Sequence, residues 1–268
     1  MSFITLEAQG LPALSPEGGR RGTPEGDRSA HQRRAAAGHV PRGGRSVSSR
    51  GPSDVAIETV APPSLRADAA FWRLYAESFD GAEREPPDVI VRSLDLGSGI
   101  ALRAVAHPQT VGLATAHVLD GPGVTFLVYL AVDPGWRARR LGRALFDAAD
   151  AAGRERLEAR QRMSTGIVWE IDDPAADVSA AELNVRLRRL AFFEKLGGRI
   201  LEGPYVQPPV DGHTPVPMRL MFRPASGSEL PGPAATAALV RAIYFEKYHA
   251  INRIPVATLE ELIARVAS

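Results

Sequence analysis

The stretch Leu127-Val-Tyr-Leu-Ala-Val-Asp-Pro-Gly-Trp-Arg-Ala-Arg-Arg-Leu-Gly-Arg-Ala-Leu145 decides the fold. Its first part closes an apolar, β-branched run from Val124 to Val132, the composition of a buried strand, which breaks at Asp133-Pro134-Gly135. Its last part sets Leu141, Ala144, Leu145, Ala148 and Ala149 at helical spacing. Between them lies a short loop holding Arg137, Arg139, Arg140 and Arg143. A strand, an arginine-rich turn and a helix start make a place to hold phosphate, because the free N–H groups of a first helical turn and the helix dipole both favour an anion. Gly142 has no Cβ and lets such a ligand approach the backbone closely.

Outward from this centre the chain reads as alternating strands and helices. Asp54 to Val60 is an edge strand ending at Pro62-Pro63, and Ser64 to Phe79 is an amphipathic helix with Ser64 as its N-cap. Ala82 to Ser93 is a second short helix broken at Pro86-Pro87. Gly97-Ser98-Gly99 reads as a hairpin turn leading into Ile100 to His107, and Thr110 to Leu119 and Val124 to Val132 complete an antiparallel meander. After the Leu141 helix, which extends towards Arg160, come a buried strand at Gly166 to Ile171 and a helix at Ala180 to Leu196 that stops at Gly197-Gly198. Arg199 to Val206 and Val216 to Phe222 are the last strands. The expected fold class is α/β, with a mixed, mostly antiparallel central sheet flanked by helices on both faces.

Residues 1–53 are rich in Gly, Pro, Ser, Ala and Arg and have almost no aromatic or β-branched residues, so they are expected to be disordered. Residues 54–223 form the expected domain, 224–233 a Pro/Gly/Ser linker and 234–268 a C-terminal helical extension. That extension, with Leu239, Ile243, Tyr244 and Tyr248 at helical spacing, would pack on its own domain, cover a substrate or meet a partner subunit, so a homodimer stays open.

The balance of 32 Lys and Arg against 31 Asp and Glu conceals a basic tail. Its arginines, Arg20 to Arg50, have no aromatics among them to stack on bases, so nucleic acid is not an expected partner and a solvated extension is the simpler reading. The absence of cysteine excludes disulfides, thiol nucleophiles and thiolate zinc sites. The dispersed histidines show no metal-ligand spacing, and no metal is expected. No run approaches the roughly 18 apolar residues of a membrane span, nor is there the apolar core of a signal peptide, so a cytoplasmic protein without a membrane partner is expected.

Two separated motifs resemble the GNAT superfamily of acyl-CoA-dependent N-acetyltransferases. The segment Val132-Asp133-Pro134 followed by Arg137 to Ala144 is similar to that family's acetyl-CoA motif: Gln or Arg, two residues, Gly, one residue, then Gly or Ala. The second, Ala191-Phe192-Phe193-Glu194-Lys195-Leu196-Gly197-Gly198, is similar to its late helix ending in Phe-Tyr-Glu-Lys-Leu-Gly-Phe. The chain departs from the pattern at three places: Arg140 stands where the first glycine is usual, Phe193 where a tyrosine often protonates the departing thiolate, and Arg186 where an asparagine is frequent.

The resemblance implies acetyl-CoA as co-substrate and transfer of its acetyl group to a primary amine, on a small molecule or a peptide, by direct attack. It implies that Leu130, Ala131 and Val132 pair with the pantetheine arm, that Arg137, Ala138, Arg139, Arg140, Leu141, Gly142 and Arg143 hold the pyrophosphate, and that Arg186 lies beside the cofactor. An alkylamine has a pKa near 10.4 and must lose a proton before it attacks. Glu170, inside the apolar strand Ile167 to Ile171, is the candidate base, since burial raises a carboxyl's pKa. It would otherwise form an ion pair with an arginine of Arg186 to Arg189, while Asp172 and Asp173 read as loop acids. Phe193 cannot donate a proton, which leaves Tyr129 or Tyr205 as substitutes or as packing residues. The competing functional readings are an acyl-CoA-binding protein without turnover and a nucleic-acid- or partner-binding protein acting through the basic tail.

Overall fold

The computed structural model describes residues 4–5, 55–81, 84–176, 178–210 and 214–267. Apart from Ile4–Thr5, the tail expected to be disordered lies outside the described residues, as do Asp177 and residues 211–213. The described elements run β1 (Ile4–Thr5), β2 (Ala56–Thr59), α1 (Pro62–Ala67), α2 (Ala69–Ser78), α3 (Pro87–Asp95), β3 (Gly99–Ala106), β4 (Gln109–Leu119), β5 (Val124–Val132), α4 (Leu141–Ala159), β6 (Gly166–Asp172), α5 (Ala180–Glu194), β7 (Arg199–Ile200), β8 (Tyr205–Gln207), β9 (Val216–Pro224) and α6 (Pro233–Ala242). A π-helical turn (Ile243–His249) and α7 (Val256–Ala267) close the chain.

The sheet has the order β2-β3-β4-β5-β6-β9-β7, with β1 added to β5 and β8 to β9. All pairings are antiparallel except β5 with β6 and β5 with β1. This is the mixed, mostly antiparallel sheet that the sequence pattern implies. Because strand side chains alternate between faces, two cores form. On one face α4 and α5 cover Leu102, Leu130, Ile167 and Trp169; on the other α1 to α3 and the C-terminal helices cover Leu113, Phe126, Val168 and Phe222. No described helix is long and apolar enough to cross a membrane.

Several local readings need correction. The expected helix from Ser64 to Phe79 is two helices. Pro62 and Pro63 open the first, where a missing N–H costs nothing. Asp68, not Ser64, caps the second, accepting from the Phe71 N–H at 2.9 Å. Gly97 (φ +80°) ends helix α3, so Gly97-Ser98-Gly99 joins a helix to a strand and is no hairpin turn. The strand read from Arg199 to Val206 is two short ones, β7 and β8, both paired to β9. The C-terminal extension, expected to be helical, passes from α6 into a π turn at Ile243. The termini of α5 agree with the sequence: Ser179 caps it through the Glu182 N–H, and Gly197 (φ +87°) ends it in the left-handed conformation.

Candidate active site

Strand β5 opens the site. Thr115 of β4 pairs with Tyr129 and Ala116 with Leu127, so Val128 is an extra residue, a β-bulge. Such a bulge bends its strand and ends local pairing. The parallel pairing of β5 with β6 stops there, running from Val124–Gly166 only to Leu127–Trp169. Beyond it the edge of β5 facing β6 is released, and in this structure Leu130 and Ala131 pair in parallel with Ile4 and Thr5 of β1.

Past Val132 the chain makes a short 3₁₀ turn at Pro134–Trp136 and enters α4. Ala138 and Arg140 both have φ +62°, the left-handed region that costs an L-residue about 1–2 kcal/mol. Arg140, the position where the GNAT motif favours its first glycine, thus takes the backbone conformation that glycine adopts without penalty. The loop and the first turn of α4 line a cavity of about 500 Å³ together with Val132, Arg143 and, from the end of α5, Phe192, Lys195 and Leu196. Arg137, Arg140, Arg143 and Lys195 give this cavity a cationic lining beside the free N–H groups of a helix start, the chemistry that holds an anion.

The expected cofactor residues do not all share this cavity. Val132, Arg137, Ala138, Arg140, Leu141, Gly142 and Arg143 line it. Arg137 also donates from Nε to the Val132 carbonyl at 3.2 Å, and Arg143 sits 3.5 Å from Asp147. Arg139 stacks over the Trp136 ring at 4.7 Å and lines a smaller neighbouring cavity with Val55 and Ile57. Arg186 is absent from the lining of both cavities; its guanidinium donates to the Asp173 carbonyl at 2.9 Å and to Glu182 at 2.5 Å.

Glu170 lies on β6, on the face of the C-terminal helices, and is 3% exposed. Its carboxylate accepts from the Tyr205 hydroxyl, from Gln207 Nε2 at 2.6 Å, and from the Tyr248 hydroxyl at 2.8 and 2.9 Å to its two oxygens. Burial pushes its pKa from 4.5 up to about 7; the three donors pull it down and the nearby Glu85 adds to the rise. The arginine ion pair considered for Glu170 does not form. Arg189 instead pairs with Asp172 at 2.9 Å, and Asp172, the last residue of β6, is 3% exposed rather than a loop acid.

Tyr129 is fully buried and packs edge-on against Tyr75 and Phe79. Its hydroxyl accepts from the Glu85 N–H at 2.7 Å, and burial raises its pKa well above 10, a poor setting for releasing a proton. Phe193 is fully buried against Trp169 and Phe146, with ring centroids at 4.7 and 5.6 Å. Its neighbour Phe192, not Phe193, reaches the cavity.

Sequence reasoning missed Gln207 and the role of the C-terminal segment. Tyr244, Lys247 and Tyr248 are buried, and Lys247 pairs with Glu85 at 2.5 Å while Asn252 bonds both at 2.7 Å. One signal was present: a lysine inside an otherwise apolar helical face calls for a buried acid. Among the described residues no group of side chains could hold a metal ion.

The model of the acetyltransferase (GNAT) family matches residues 68–178. No curated protein matches by sequence. A GNAT-family acetyltransferase from Bacteroides thetaiotaomicron superposes with a TM-score of 0.55 at 17% identity, covering 75% of this chain and 99% of that one. Arabidopsis thaliana NAA60, solved in complex with acetyl-CoA, is also similar, with a TM-score of 0.46 at 14% identity over 65% of this chain and 99% of that one. Family match and fold agree over this part of the chain: residues 68–178 match the acetyltransferase (GNAT) family, and the fold is shared with the Bacteroides structure.

Proposed function

We propose that this protein transfers an acetyl group from acetyl-CoA to a primary amine, on a small molecule or peptide, by direct attack. The observation that carries the reading is the cationic cavity at the start of α4, continuous in sequence with the released edge of β5. The pyrophosphate would sit against the first N–H groups of α4 between Arg137, Arg140 and Arg143, with Arg139 alongside on Trp136. Leu130 to Val132 would pair with the pantetheine amides, and a backbone N–H there would polarise the thioester carbonyl, typically worth about 3 kcal/mol. Ile4 and Thr5 hold the same edge, so the donor would have to displace them.

Glu170 is the base in this reading. A carboxylate with a pKa near 7 is half-ionised at neutral pH and takes up a proton readily, which suits removal of one from an incoming amine. A thiolate is a far better leaving group than an amide or alkoxide, a cysteine thiol having a pKa of about 8.5, so the CoA thiolate leaves without a partner acid at Phe193, and Tyr129 keeps a packing role. Purified protein incubated with acetyl-CoA and a broad panel of amines should release free thiol. Acetyl-CoA binding without release from any amine would support the second reading, an acyl-CoA-binding protein without turnover. That reading is favoured by one observation: all three partners of Glu170 are already protein groups.

A further inference from the structure

We propose that Tyr248 is a positioning residue for acetyl transfer, holding the Glu170 carboxylate from the C-terminal segment of the chain. The proposal rests on the reading of Glu170 as base and asks what fixes that side chain. Strand β6 sets its backbone, but the terminal torsion of a glutamate is broad. Of its three donors, Tyr205 and Gln207 come from β8 and each meets one oxygen. Tyr248 alone lies within hydrogen-bond distance of both, at 2.8 and 2.9 Å, and so sets the plane of the carboxylate.

Tyr248 lies well outside the residues 68–178 that the family model matches, on a π-helical turn. Such turns are rare and concentrate at functional sites. Its place is fixed from both sides of the turn. Glu246 accepts from the Asp120 and Gly121 N–H groups at 2.6 and 3.1 Å, Lys247 reaches the buried Glu85, and the Tyr244 hydroxyl donates to the Val206 carbonyl at 2.5 Å. A phenol that packed only as a ring would not need its oxygen on the one buried carboxylate of β6 that faces the C-terminal helices without an arginine. Donation to both oxygens favours the carboxylate anion and opposes the effect of burial.

The test uses the full chain with carboxyl-labelled glutamate, the Glu170 signal being assigned from Glu170→Gln, alongside the pH profile of CoA release. In Tyr248→Phe the Glu170 midpoint and the acidic limb of kcat/KM should both rise, by about one pH unit for one charge-assisted hydrogen bond. KM for acetyl-CoA should stay within about twofold, because the α4 cavity is untouched. Incorporation of 3-fluorotyrosine at position 248, a stronger donor of nearly the same shape, should move both downward and covers the case in which Tyr248→Phe does not fold. An unmoved Glu170 midpoint in the variant that folds overturns the proposal, while loss of activity in Glu170→Gln would leave the base reading standing. If Glu170→Gln is as active as the native chain at every pH, the base reading fails, and Tyr248 then positions nothing that reacts. A chain that releases no CoA with any amine removes the reaction and this proposal together, even if the carboxyl still shifts.

Discussion

Replacing Lys247 with Met should destabilise the protein by about 3–5 kcal/mol, the cost of leaving one member of a buried ion pair without its partner. Both side chains of the Lys247–Glu85 pair are only 2% exposed, so water cannot take the place of the lost ammonium. Met keeps the length of the stem and loses the ammonium, with its bonds to Glu85 and to the Asn252 side chain. Glu85 would keep a single side-chain donor, Asn252 Nδ2 at 2.7 Å. For a folded part of about 215 residues, each kcal/mol lowers Tm by about 2–4 °C, so a fall of about 6–20 °C is expected. Urea unfolding followed by tryptophan fluorescence, with a thermal melt beside it, reads the loss. Two further variants separate the causes. The double variant Glu85→Gln/Lys247→Met removes both charges and should recover at least half of the loss. Arg241→Ala, which breaks an ion pair whose side chains are 52% and 48% exposed, should cost less than about 1 kcal/mol. A loss below about 1 kcal/mol for Lys247→Met, no larger than that of Arg241→Ala, would refute the argument that burial gives this pair its weight.

Three further outcomes follow from the same geometry. The raised pKa of Glu170 means that the folded chain holds a proton between pH 4.5 and about 7 that the unfolded chain has lost, so stability should fall as pH rises through that window. Glu170→Gln should remove this slope, worth about 3 kcal/mol, and a native chain with no slope to remove would contradict the burial argument. Arg140→Gly should relieve the left-handed strain and raise the unfolding free energy measured in urea by about 0.5–1 kcal/mol after the entropy cost of glycine, while weakening acetyl-CoA binding about tenfold by calorimetry; a gain in binding would sink the pyrophosphate assignment. Deleting residues 1–9 should tighten acetyl-CoA binding, since Ile4 and Thr5 occupy the edge of β5 that the pantetheine arm would use; unchanged affinity would mean that the donor binds elsewhere.

What the sequence made legible was local. The β5 strand, the arginine loop and the α4 helix follow from composition and spacing within a few residues, and the end of α5 follows from Gly197-Gly198. What it concealed depends on contacts between distant positions or on conformations against the average preference. Arg140 reads as a defect in a glycine motif, yet its backbone takes the conformation a glycine would. Asp68 looks like an interior residue of one helix, but Arg103 holds one of its carboxylate oxygens at 2.7 Å while the other caps the second helix. The partners of Glu170 lie 35, 37 and 78 residues further along the chain, beyond the reach of any periodicity.

That last separation has a consequence for how the protein is made. Synthesis runs from the N-terminus at about 5–20 residues per second, so Tyr248 is added about 4–16 s after Glu170. During that interval the cationic loop at α4 is already made, and the carboxylate on β6 still lacks its last donor. On the proposed reading, the residues lining the α4 cavity are therefore all synthesised before the last donor to Glu170, and a chain stalled before residue 243 would carry the cavity residues without Tyr248.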